Sequence, residues 1–395
     1  MTAATQTVFV ASSQIPATPP PLIHSGAIGW MRTNLFSSPF NAVLTILCVA
    51  FILWVVPPLL RFLLIDAVWT GADRLACLAT PDHPEVGACW AFVRDRINFF
   101  IYGFYPIDQR WRVDVFFAVL ALGIGWLTWL DAPRRDMGLI YFFIVLPILS
   151  FLLLHGTPGG GLPLVETAQW GGVLVTIVVA SVGIVVSLPL GVLLALGRRS
   201  SMPVVRLLSV IFIEFVRGVP LITVLFMASV MLPLFLPERA TFCVMSHCFD
   251  LSLSPDKLVR ALVGVALFSA AYMAEVVRAG LQAIPRGQFE AAMAVGLSYW
   301  KSMYLIILPQ ALKITIPNIV NSAVGLFKDT TLVFVVGIFD LLKTVEAARI
   351  DPQWATPVTS TTGYAFLAIF YFLSCYAMSR YARYVEARLA RGAQR

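Results

Sequence analysis

Charged side chains inside long apolar segments are the first place to look for chemistry in this chain, because an ionised group in hydrocarbon is costly and is kept for a reason. Three pairs qualify: Glu214 with Arg217, Glu275 with Arg278, and Lys328 with Asp329. The first two are spaced i,i+3, so each pair shares a helix face and reads as an internal ion pair near the cytoplasmic boundary. Gly218 and Pro220 follow directly and would let that segment bend during gating. Lys328 and Asp329, continued by Thr330 and Thr331, leave two readings open. They are a self-neutralising pair or the outer end of a helix, or they are a gate on a polar path through the membrane.

The remaining reactive groups form no catalytic or metal-binding set. His24, His83, His155 and His247 fall in loops or tails, no Ser/His/Asp arrangement stands out, and no CxxC or Cys/His spacing occurs. The glycines at 159–161 are not followed by a Lys-Ser/Thr pair and read as a linker, and GxxxxGK[ST] is absent, so the chain has no phosphate loop and no cofactor of its own. Cys48 and Cys375 lie in apolar runs as small hydrophobes. Cys77 and Cys89 share one long loop, Cys243 and Cys248 another. On an oxidising side of a membrane each pair could form a local disulfide; the alternative is four unpaired thiols.

The elements that must position these groups are helices across a bilayer. Of 395 residues, 59% are hydrophobic and only 12% charged, against roughly a quarter charged in soluble domains. The apolar residues come in runs long enough to cross hydrocarbon at ~1.5 Å per residue, and without short alternating strands there is no case for a barrel. About eight spans are expected, near 41–65, 115–130, 138–154, 171–196, 204–236, 258–282, 313–339 and 363–379. The fold class is an all-α polytopic membrane protein.

Arg134, Arg135, Arg198, Arg199, Arg286, Lys301 and the Arg-rich C-terminus then fall on one side, the cytoplasmic one. The formal charge of +7 reflects these span ends and not a nucleic-acid surface. Residues 1–40 read as a cytoplasmic tail without a cleaved signal, and 386–395 as a second tail. Residues 41–160 form a three-span extension with a long polar loop at 66–112 on the opposite side. Residues 165–385 hold five spans and nearly all of the polar residues within them.

One stretch, residues 285–309, is not a span. Pro285 suits the first turn of a short helix, Gly296 can end it in a left-handed conformation, and Ser298 can cap a second helix from about Tyr299. Ala291, Ala292 and Gly296 are small enough for a partner to approach the backbone, with Glu290 supplying a charge. The spacing Glu290-Ala291-Ala292, three residues, Gly296, nine residues, Ile306, one residue, Leu308-Pro309 resembles the signature of permease subunits of ABC importers. The flanks AAYMAEVVRAGLQAIPRGQFEAA, LPQALKITIPNIVNSAVGLFKDTTL and EFVRGVPLITVLF resemble its polar amino acid branch, the histidine, glutamine and general L-amino-acid permeases. The three-span extension is similar to the longer "M" subunit of general L-amino-acid importers. One departure is Thr331, where the branch commonly carries serine; the hydroxyl is kept.

The resemblance implies a five-helix type I core in the bacterial inner membrane. It implies that Glu290, Ala291, Ala292, Gly296, Leu308 and Pro309 belong to a coupling helix docked on an ABC ATPase dimer, which binds ATP and Mg. It further implies a periplasmic amino-acid-binding protein, an L-amino-acid substrate, and a second permease subunit, related in sequence, a homodimer being the alternative. A self-sufficient secondary transporter would instead move substrate alone on an ion gradient, and a membrane enzyme would need clustered catalytic groups at one face.

Overall fold

The computed structural model describes residues 26–81, 84–129, 134–157, 161–235, 239–244, 247–252 and 256–393. The backbone divides into two compact units, residues 1–67 with 85–88, and residues 68–84 with 89–395. In the first unit, helix α1 (Gly26–Asn34) lies within the expected tail, and α2 (Pro39–Leu60) is the first span. Ser38 caps α2 by accepting from the Asn41 amide. Arg61, just past Pro57 and Pro58, pairs with Asp66 at 3.3 Å and Glu85 at 3.0 Å.

In the second unit, the polar loop expected at 66–112 is largely folded. Helix α3 (Trp90–Tyr102) occupies its middle, and α4 (Arg110–Thr128) begins before its expected end. Cys77 and Cys89 are joined, and with Phe92 and Phe100 they enter a core shared with Leu341, Val345 and Trp354. Polar contacts fasten this cap to residues 351–362. Arg96 pairs with Asp351 at 2.8 Å, the Trp354 indole donates to Asp95 at 2.8 Å, and the Cys89 amide donates to the Thr362 hydroxyl at 2.8 Å. The second span therefore reaches Ile107–Thr128 and is not short. Arg112, expected in the loop, is a fully buried helix residue whose guanidinium donates twice to the Pro163 carbonyl.

The chain continues through α5 (Arg135–Ile140), α6 (Leu146–His155), α7 (Gly172–Arg198), α8 (Pro203–Gly218), α9 (Leu221–Phe226) and α10 (Leu232–Phe235). His155 ends α6 instead of lying in a loop. A hairpin of β1 (Arg239–Val244) and β2 (His247–Ser252) follows, with Cys243 opposite Cys248 in register; their side chains lie outside the described residues. The last elements are α11 (Lys257–Ala283), α12 (Arg286–Ala294), α13 (Tyr299–Ser302), α14 (Leu308–Asp329), α15 (Leu341–Arg349) and α16 (Pro357–Ala393). The expected C-terminal tail is thus helical up to Ala393.

Among the described residues seven helices are long and apolar enough to cross a membrane, or eight if the bent pair Pro203–Gly218 and Leu221–Leu234 is one span. The expected segment 204–236 thus bends where Gly218 and Pro220 were read as allowing it, by 110°. Pro220 has no N–H and forces Val219 into extended conformation, φ −112° and ψ 137°, which stops the helix.

Three spans share a second proline effect. Tyr141–Val145, Met227–Met231 and Met303–Ile307 are π-helical turns, and each is followed by Leu-Pro. In each, the leucine amide reaches back five residues, to Tyr141, Met227 and Met303 respectively. A proline one position later cannot donate and its ring would strike the carbonyl four residues back, so a wider turn relieves the clash. The carbonyl that Pro233 leaves unpaired, on Ser229, is taken by the Arg260 guanidinium.

Candidate functional site

The short helix α12 is built from its C-terminal stop. Gly296 has φ +79°, its amide donates to the Met293 carbonyl at 2.9 Å, and the Leu297 amide donates to Ala292 at 3.2 Å. These two bonds form the Schellman arrangement that satisfies carbonyls at a helix end. Pro285 stands at the N-cap, one position earlier than expected, and Ser298 precedes α13 without a side-chain capping bond. Leu308 and Pro309 open α14 after the wide turn.

The two faces of α12 differ. Phe289 packs on a core containing Ile284, Met303 and Ile307, and Ala292, three positions on, is buried. Ala292 is 2% exposed, so of the small residues expected at a partner surface it is spent on packing within the chain. Glu290, Ala291 and Gly296 are exposed, beside Met293 at 64% and Val295 at 80% exposure. Gln310 ties α14 to α12 by donating to Gln288 at 3.2 Å.

Above this loop lies a cluster of five charges. Glu275 and Arg278 pair at 2.7 Å, as the i,i+3 spacing expects. Glu214 and Arg217 do not pair with each other. Glu214 pairs with Arg198 at 2.7 Å, while Arg217 reaches Glu275 at 3.8 Å. Arg198 also reaches Glu275 at 2.9 Å. Packing of α7, α8 and α11 thus replaces local pairing with a shared network, centred on the largely buried Glu275 and extending to the exposed Glu214. Spacing reasoning missed Arg198 because it read the residue only as a positive span end. Its place in the last turn of an apolar helix was the available signal.

A cavity of about 310 Å³ opens among α7, α11 and α14. Its polar lining comes from Ser187, Ser269, Tyr272, Ser322 and Asp329, and Asp329 is the one charged lining residue among those described. The span carrying Asp329 starts at Tyr299, well before the expected 313, because Lys301, Gln310 and Lys313 interrupt the hydropathy but not the helix. Lys328 and Asp329 accordingly close α14, and a 3-10 turn, Thr330–Val336, follows. Lys328 is exposed and does not line the cavity. Thr330 and Thr331 donate their hydroxyls to the carbonyls of Phe327 and Lys328, which finishes the helix. The charge cluster meets the cavity at Tyr272, whose ring lies 5.5 Å from the Arg217 guanidinium.

Among the described residues no group of three or more His, Cys, Asp and Glu could hold a metal ion. The arrangement offers a largely apolar cavity with a few polar groups inside a helical bundle, a charged cluster at one end of it, and an exposed short helix beyond.

Residues 187–391 match the family described as binding-protein-dependent transport system inner membrane component. The chain is 48% identical to the inner membrane amino-acid ABC transporter permease protein YhdY of Escherichia coli (strain K12), over 95% of this chain and 96% of that protein. It is 41% identical to the glutamate/glutamine/aspartate/asparagine transport system permease protein BztC of Rhodobacter capsulatus, over 98% and 99%. It is 33% identical to the glutamate/aspartate import permease protein GltK of Escherichia coli O6:H1, over 55% of this chain and 92% of that one. The chain belongs to the family of inner membrane components of binding-protein-dependent transport systems, as a multi-pass permease subunit of an ABC importer in the inner membrane.

Proposed function

We propose that this chain carries L-amino acids across the inner membrane and takes its energy from a separate ATPase docked on α12. The observation that carries the reading is the division of α12 into an inward face, Phe289 and Ala292, and an exposed face of small and apolar residues with Glu290. A helix held from behind and bare in front is built to be pushed. The absence of GxxxxGK[ST] from the sequence supports a push that comes from another chain. The relatives support the substrate class: two are named for glutamate and aspartate, and one of these also for glutamine and asparagine.

In this reading the cavity among α7, α11 and α14 is the substrate path, with Asp329 facing the substrate ammonium and the hydroxyls of Ser187, Ser269 and Ser322 solvating it. An ATPase dimer holding ATP and Mg, a periplasmic binding protein and a second, related permease subunit complete the importer. Closure of the ATPases moves α12 and switches access to the cavity.

The test is Glu290→Lys in the assembled importer. We expect loss of ATPase co-purification or of ATP-driven uptake into proteoliposomes, each by about 10-fold or more if one buried charge contact is reversed. Wild-type yield of ATPase together with wild-type uptake would overturn the docking role. Uptake by this chain alone, driven by an ion gradient, would favour a secondary transporter instead.

A further inference from the structure

Arg198 and Arg199 are consecutive residues at the end of α7, yet they hold different parts of the molecule. Neighbouring side chains on a helix diverge by about 100°, and here the divergence is used. Arg198 turns toward α8 and α11, with Nη1 2.7 Å from Glu214 and 2.9 Å from Glu275. Arg199 turns toward the short cytoplasmic helix. Its guanidinium stands 5.7 Å from the Phe289 ring centroid, and Nη1 donates at 3.2 Å to the carbonyl of Leu281 in the last turn of α11. That carbonyl is one of the groups a helix end leaves unpaired.

From Glu275 the contacts run on through Arg217 to Tyr272, which lines the cavity. Phe289, Arg199, Arg198, Glu275, Arg217 and Tyr272 thus form an unbroken series from the exposed helix to the cavity wall. The cluster is unevenly bound. Glu275 has three arginine partners, whereas the ion pair of Glu214 is with Arg198. Moving Arg198 therefore removes one of the two ion pairs on α8, that of Glu214, while Arg217 of the same helix stays paired with Glu275. α8 is the element that precedes the 110° break at Val219 and Pro220.

We propose that Arg198 and Arg199 are a positioning pair that transmits displacement of α12 to the charged layer under the cavity. Arg199 follows Phe289, and Arg198 holds or releases Glu214. The inference rests on the reading of α12 as the ATPase-docking helix, and it adds residues outside that helix.

The experiment uses the whole importer, this chain with its ATPase and partner permease, in proteoliposomes with binding protein and amino acid. Uptake and ATP hydrolysis are measured on the same vesicles for Arg199→Ala, Phe289→Leu, Arg198→Ala, Glu214→Gln and the Arg198→Ala/Glu214→Gln double variant. Phe289→Leu keeps the inward apolar side chain and removes only the ring face. We expect Arg199→Ala and Phe289→Leu each to lower the amount of substrate moved per ATP by roughly 5-fold or more, the low end of coupling effects. The double variant should be no worse than Arg198→Ala alone, since both act on one contact. Unchanged substrate per ATP in assembled complexes of both Arg199→Ala and Phe289→Leu overturns the proposal, as does additive loss in the double variant. A purely structural role would lower complex yield and leave that ratio where it was. Failure of the ATPase to join the wild-type chain would defeat the docking reading itself, a separate outcome.

Discussion

Replacing Asp340 by asparagine isolates the energetic effect of burying one carboxyl at the start of α15. Asp340 is fully buried and caps that helix, accepting from the Lys343 amide at 3.0 Å and the Leu342 amide at 3.3 Å. Burial pushes its pKa from 3.8 up to about 7; the two backbone donors pull the other way, and Glu346 adds to the rise. Between those two values the folded chain keeps a proton that the unfolded chain has released. Stability conferred at low pH is therefore lost as pH rises through that window. The full gap corresponds to about 4 kcal/mol, of which about 3 kcal/mol falls between pH 5 and pH 8.5. Asparagine caps about as well and carries no proton to lose. Thermal unfolding of the purified permease in detergent, at fixed ionic strength across that range, should show the wild-type midpoint falling relative to Asp340→Asn. The divergence should be on the order of 5 °C. Parallel pH profiles for the two proteins, or a variant less stable than wild type at pH 8.5, would falsify the argument.

Two further outcomes follow from packing. Cys77→Ala frees a loop whose ends are 12 residues apart, which should destabilise the cap by about 3 kcal/mol; limited proteolysis between Arg74 and Arg96 should then quicken several-fold, and equal cleavage rates would argue against a stapled cap. At Gly280 a Cβ would stand 2.5 Å from the Thr315 methyl and 2.7 Å from the Ala311 carbonyl, so Gly280→Leu must part α11 from α14. A loss of about 3 kcal/mol or more is expected, read as a lower unfolding midpoint, and an unchanged midpoint would mean that the two helices are not in fixed contact.

Much of this molecule is visible in its chain because hydrocarbon leaves few choices. Long apolar runs become helices since every backbone polar group must be paired internally, and α7 and α11 fall within a residue or two of expectation. Gly296 was legible for a different reason: only a residue without Cβ sits comfortably at φ +79°, so a glycine between two short helical patterns marks the stop. What stayed hidden depends on tertiary contact. The i,i+3 rule found Glu275 with Arg278 but misassigned Glu214 and Arg217, because nothing local says that Arg198 will come closer. The cap was hidden because α3 carries Arg94, Asp95 and Arg96 in succession, which look like a loop until Phe92 and Phe100 are seen facing Trp354 and Phe366.

The wide turns ahead of Pro147, Pro233 and Pro309 have a consequence for helical phase. A turn that closes on the fifth residue instead of the fourth carries one residue more than its neighbours, and each residue advances the helix by about 100°. The residues before and after each wide turn are therefore out of phase by about 100°, and a single periodicity laid across the turn blurs both. It also follows that exchanging the proline for alanine does not by itself restore a regular helix. The surplus residue would remain, and the two phases would realign only if one residue were deleted as well.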